Sequence, residues 1–137
     1  MTFMHVTETA VVAENASWRP SPHGSEVNAN PNITLLLSLF NQASHYPNGY
    51  LPSGIVVGQV TATKLWGPYD PAATDGRKTA KGLLFGSLPV KAGQKRTAGA
   101  LVWHGVVDPT RLPIESGTGS LDTAARGDLP AIHFLNN

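Results

Sequence analysis

The sequence predicts a mostly β protein: a small compact β-rich domain with short helical turns behind a flexible N-terminal arm. Three observations carry the prediction. The 137 residues include 14 Gly and 11 Pro, above the usual levels of about 7% and 5%, so nearly every window long enough for an amphipathic helix is interrupted. Short runs rich in Val, Thr, Ile and Leu are bounded by Gly or Pro, the pattern of strands divided by turns. Residues 1–32 hold few large apolar side chains and end in WRPSPHGSEVNANPN, a composition that buries too little surface to offset chain entropy.

The elements follow in order. Within the arm, Val6, Thr7, Glu8, Thr9, Ala10, Val11 and Val12 have strong strand propensity but no neighbouring partner. Residues 33–40 place Ile33, Leu35, Leu37 and Leu39 at period two, while Leu35, Leu36, Leu39 and Phe40 also fit a helical stripe, so the run reads either way. SHYPNGYLPSG, residues 44–54, is turn chemistry, with Pro47-Asn48-Gly49 suited to a tight turn and Gly54 supplying backbone freedom. The expected boundaries are therefore an arm at 1–32, a connecting apolar segment and turn at 33–50, and the β-rich domain at 51–137. Strands are expected within 55–63, 80–88 and 98–107, and a short helix within 120–129, capped by Ser120 or Asp122 and ended by Gly127. Residues 129–135 read as a closing strand, with Pro130 near its start.

Composition narrows the function. Ten Lys+Arg against nine Asp+Glu leave a net charge of +1, too weak a field to recruit nucleic acid or an anionic membrane by charge. With no cysteine, disulfides, a thiolate nucleophile and Cys-based zinc sites are excluded. The first twenty residues lack the basic start and apolar run of a secretory signal, and residues 33–40 fall far short of the ~20 apolar residues that span a bilayer. The expectation is a soluble protein made in the cytoplasm, where the two Asn-x-Ser/Thr matches at Asn15 and Asn32 are chance.

Catalytic chemistry finds no foothold. His5, His23, His45, His104 and His133 are scattered without a metal-binding spacing, and His104 reads as a satisfied or solvent-facing strand histidine. DPAATDG, residues 70–76, has two carboxylates but not the alternation of a calcium loop, so it reads as two successive turns. Gly117-Thr118-Gly119 reads as a flexible loop. No nucleophile, base and orienter stand at recognisable spacing, so no catalytic residue, cofactor or metal ligand is assigned and an enzyme is not expected. Lys91, Lys95 and Arg96 in KAGQKR read as a solvated hairpin tip, with a contact to a charged surface as the sharper alternative. Trp103 reads as core, Trp66 as packing over a Gly67-Pro68 turn, and Trp18 as an aromatic in a polar tail, either an anchor for a partner or idle.

The run from Leu51 through Thr63, then YDPAATDG (69–76), then TAKGLL (79–84), resembles the head decoration proteins of lambda-like tailed bacteriophages over roughly residues 50–135. An apolar strand, a short helix and a terminal strand follow in the order of that family. The resemblance implies a small compact barrel-like domain that forms a homotrimer on the outer capsid surface at three-fold positions. It implies a virion cement protein that stabilises the head against internal DNA pressure, with the major capsid protein as partner and no direct contact with nucleic acid or membrane. Val6, Thr7, Glu8, Thr9, Ala10, Val11, Val12 and Trp18 are then the expected capsid-binding arm, adding a strand to a capsid-protein sheet. The competing expectation is a carbohydrate- or host-surface-binding β module that stacks sugars on Trp18, Trp66, Tyr46, Tyr50 or Tyr69.

Overall fold

Nine strands, two short helices and two 3-10 turns make up the described part of the chain, a computed structural model that describes residues 14–23 and 30–135. The expected strand Val6 to Val12 lies outside the described residues. In chain order, β1 (Asn32–Leu36) leads through a 3-10 turn (Leu37–Leu39) to α1 (Gln42–His45) and β2 (Tyr50–Leu51). Then come β3 (Val56–Gln59), β4 (Trp66–Pro68), β5 (Gly82–Leu84), β6 (Leu88–Pro89), β7 (Arg96–Val102) and β8 (Gly105–Val107). A second 3-10 turn (Pro109–Arg111), α2 (Thr123–Asp128) and β9 (Ile132–Phe134) complete it.

Five strands close a barrel in the order β1-β4-β3-β5-β7, with β7 returning to β1. A closed ring of five cannot alternate direction all the way round. The forced exception is the parallel pair of β1 and β4, where Leu35 faces Trp66, and the other barrel pairs are antiparallel. Segment 33–50, expected to be a connection, thus contributes a wall of the barrel. Both readings of its apolar run are realised in turn. Ile33 and Leu35 alternate inward against exposed Asn32 and Thr34, and then Leu37 N–H donates to Lys95 O (2.9 Å) and the chain winds into a 3-10 turn, burying Leu37 and Phe40. What decides the matter is β7, which pairs with β1 along its full length from Asn32↔Ala100 to Leu36↔Arg96.

Leu35, Val57, Leu84 and Leu101 share one apolar cluster, whereas their chain neighbours Val56, Leu83 and Val102 share another. Strands β3 and β5 and the Leu101–Val102 end of β7 are therefore buried on both faces: the first set fills the barrel, and the second is covered from outside by α2, β8, β9 and Trp18. Parallel β8 and β9 form this outer layer together with Ala125 and Leu129 of the α2 region.

Several details differ from expectation. The run 98–107 is two strands, because the chain breaks at Trp103 and His104 and restarts at Gly105 with φ 135°, a conformation open to glycine. Trp103, expected in the core, is 46% exposed at that break. Gly67 and Pro68 lie within β4 rather than in a turn, and a Cβ at Gly67 would come 2.7 Å from Leu39 Cδ1. Gly127 does not end α2, which runs to Asp128. The cap is Asp122, whose carboxylate accepts from Ala125 N–H (2.8 Å). Residues 70–76 do form two side-chain-capped turns, Asp70 accepting from Ala72 N–H (3.0 Å) and Asp75 from Arg77 N–H (3.2 Å).

Candidate functional site: the root of the leading arm

Asn15 and Ser17 begin the site with a local turn: the Asn15 side-chain oxygen accepts from Ser17 N–H (3.1 Å) and Ser17 Oγ (2.7 Å). Arg19 N–H donates to Ala16 O (2.9 Å) and tightens the bend. The turn aims Trp18 at the body, where its indole is fully buried. Trp18 Nε1–H donates to Ser53 Oγ (2.9 Å), whose hydroxyl donates to Phe85 O (2.8 Å). Ser53 N–H donates to Ser87 Oγ (3.0 Å), and Ser87 N–H donates to the Glu14 carboxylate (3.1 and 3.3 Å). Trp18 O in turn accepts from Asp108 N–H (2.8 Å). Residues 14–19 are thus a strap stitched at both ends to the body.

The guanidinium of Arg19 closes over this strap, 4.2 Å from the Phe85 ring centroid and 5.2 Å from that of Trp18. Burial lowers the Arg19 pKa, with the Glu14 charge working in the other direction. Its Nε is buried without a hydrogen-bond partner among the described residues, so aromatic faces rather than acceptors hold that edge. Gly54 has a structural reason beyond its φ of 101°: a Cβ there would meet Pro113 Cδ at 2.9 Å and Trp18 Nε1 at 3.0 Å. A cleft of about 240 Å³ beside the strap is lined by Asn15, Tyr50, Pro52, Ser87, Arg111 and Pro113.

Trp18, expected in a loose arm as an anchor for a partner, is therefore an anchor to its own subunit. The apolar cluster had room for an indole and Ser53 supplied the acceptor for its N–H, which together outweigh the entropy of ordering a short strap. Sequence held one signal of this, the Asn15-Ala16-Ser17 turn directly before the aromatic, which the glycosylation pattern obscured. The strap begins at Glu14, whose carboxylate lies beside Ser87.

The other candidate residues scatter. Tyr69 is fully buried, so neither it nor Trp18 offers a sugar-stacking face. Tyr69 Oη donates to both Asp122 carboxylate oxygens (2.9 and 3.1 Å), and burial, then this bond, push its pKa up to about 12. Half-buried His104 packs at a tilt of 44° against Trp103 (4.4 Å between centroids) and meets His23 edge-on (5.3 Å). His45, singled out by no sequence pattern, is buried: Nδ1 accepts from Asn41 N–H (2.8 Å), so the proton sits on Nε2, which donates to Thr118 O (2.9 Å). Loop 117–119, expected to be flexible, is thereby held to α1. Among the described residues no cluster of three metal-ligating side chains occurs, and no helix is long and apolar enough to cross a membrane.

The family model of the bacteriophage lambda head decoration protein D matches residues 42–134, from the start of α1 to the end of β9. The chain belongs to this family. Membership gives it a role in phage head decoration, an association with the phage capsid and a place in the virion. The family is structural, which points away from an enzyme. No match is found among curated proteins or solved structures. The matched stretch omits both β1, which closes the decoration protein's barrel, and the Trp18 strap.

Proposed function

We propose that this decoration protein binds the outer surface of the phage head as a homotrimer at three-fold positions and cements the shell against internal DNA pressure. Residues 1–13 act as the grip, adding the strand Val6 to Val12 to a sheet of the major capsid protein. The observation that carries this reading is the strap: a buried Trp18 fixes where the arm starts, so the grip has a defined root and a reach of at most about 43 Å, at about 3.3 Å per residue. The barrel strands are paired all round, which supports a partner sheet outside the barrel. Trp18 enters as the residue that positions the arm rather than one that touches the capsid.

Energetics favour several arms acting together. Three or four backbone hydrogen bonds at about 1 kcal/mol net each give one arm only about millimolar affinity. Each further arm on one trimer raises avidity by about a hundredfold or more where all can engage at once. The grip then selects a completed shell whose sites are correctly spaced. Deleting residues 2–13 tests it: the truncated protein is expected to keep the melting temperature and oligomeric state of the full chain but to lose co-sedimentation with empty capsids. Undiminished decoration would refute the arm mechanism.

A further inference from the structure

Two histidines that lie far apart in the chain are neighbours in the structure. His23, at the far end of the strap, and His104, at the break between β7 and β8, meet with ring centroids 5.3 Å apart and planes at 84°. The backbone arranges this approach. Trp18 O accepts from Asp108 N–H (2.8 Å) and the His23 ring reaches His104, so the strap runs back along β8 in the opposite direction to it. Between those two contacts stand Pro20 and Pro22, whose fixed φ removes much of the freedom that would let the segment wander. His23 N–H donates to Ser21 Oγ (3.2 Å), which turns the chain at that point.

His104 has an unmet need. Its Nδ1 is buried and has no hydrogen-bond partner among the described residues, a costly state for a ring nitrogen removed from water. Trp103 lies against one side of the same ring, 4.4 Å between centroids. His23 is exposed, so its ring samples its rotamers freely and the His23 side opens to water. In the tautomer with its proton on Nε2, His104 Nδ1 offers a lone pair, and imidazole lone pairs suit Zn²⁺, Cu²⁺ and Ni²⁺. With Zn–N bonds of about 2.0–2.1 Å, two imidazoles at the tetrahedral angle hold their centroids about 5 Å apart. The spacing of His23 and His104 matches. We propose that these two histidines hold a Zn²⁺ ion, through Nδ1 of His104 and one ring nitrogen of His23, with water filling the remaining positions on the exposed side.

Such an ion acts as a clip. The strap is already stitched to the body at Glu14 and Trp18, and the ion adds a stitch at its far end. A link between positions so far apart in sequence closes a long loop of the unfolded chain, the case in which a metal clip gains most. Because the unfolded chain does not hold the two rings together, binding free energy becomes folding free energy of the strap. The site depends on neither the trimer nor the arm's grip on the capsid, since both histidines belong to one subunit. Spacing along the chain gives no sign of it; the fold alone brings the pair together.

The test is the zinc dependence of stability in the full chain after dialysis against EDTA. Adding ZnCl2 is expected to raise the melting temperature of the parent with the concentration dependence of a bound ligand. His23→Asn and His104→Asn are each expected to abolish the rise while the metal-free circular dichroism stays that of the parent. His133→Asn, which removes an exposed histidine on β9, is expected to keep it. His23→Cys, measured with a reductant, is expected to restore the rise, because a thiolate is also a zinc ligand, whereas a ring that merely packs is not replaced by a thiol. A second reading needs no unfolding: CuCl2, which favours the same imidazoles, is expected to quench the emission of Trp103 in the parent and not in His23→Asn. A parent whose melting temperature and emission ignore both ions overturns the site. A His23→Asn variant that responds like the parent also overturns it, by placing the ion on other groups. Should His104→Asn fail to fold, the two His23 variants decide by themselves.

Discussion

Replacing Trp18 by Ala tests whether the leading strap belongs to the body. The indole is fully buried in the cluster between the barrel and its outer layer, and truncating a large buried aromatic costs about 3–5 kcal/mol. Two features set the value within that range. Ser53 Oγ loses its donor but keeps its own bond to Phe85 O, so little is left unsatisfied. The strap is a single layer beneath Arg19, so water can enter part of the vacated space, which favours the lower end, about 3 kcal/mol. Against a usual domain stability of about 5–15 kcal/mol, this is a large fraction, a fall of about 10 °C or more in Tm. Trp18→Phe keeps a ring but not the N–H and is expected to cost about 1 kcal/mol. Urea unfolding followed by far-UV circular dichroism reads both, as a lower midpoint at unchanged slope. If Trp18→Ala stays within about 0.5 kcal/mol of the parent, the strap is not packed on the body and the root of the arm shifts to residue 30 or beyond.

Two glycines are expected to respond to Ala with opposite signs in the same unfolding assay. At Gly82 a Cβ would meet Val102 O at 2.5 Å and Leu101 Cδ1 at 2.7 Å, so Gly82→Ala is expected to destabilise by about 1–3 kcal/mol. At Gly127, inside α2, a Cβ meets nothing within 4 Å, so Gly127→Ala is expected to stabilise by about 0.5–1 kcal/mol. Tyr69 sets an alkaline limit: its folded pKa is raised to about 12 while the unfolded phenol titrates near 10. Its contribution is therefore complete below about pH 10 and lost as pH climbs toward 12. Tyr69→Phe is expected to flatten that alkaline decline in a pH series of melting temperatures.

Local chemistry was legible in the residues themselves. The paired turns at Asp70 and Asp75, the tight turn at Gly49, the cap at Asp122 and the short strands follow from contacts a few residues apart, which composition and spacing encode directly. The family resemblance was legible too, from the order of short motifs between residues 51 and 84. The misplacements have a common origin. Trp103 stands in a run as apolar as any core strand, yet it is exposed because β7 ends at Val102, paired with β5, while β8 departs to β9. Trp18 stands in a polar tail, yet it is buried because a groove closed by Ser53 and Phe85 receives it across 35 residues of chain.

By itself the sequence determined the class of this protein: cysteine-free, nearly neutral, rich in turns and therefore β, with no spacing fit for catalysis. Tertiary structure alone decided which strands close the barrel, that β1 and Trp18 belong to the body, and that loop 117–119 is held by a buried histidine. The reason is physical. Turns and caps are satisfied by neighbours along the chain, whereas a strand edge or an indole N–H is satisfied by whatever distant group the fold brings beside it, and a single residue's type does not say which.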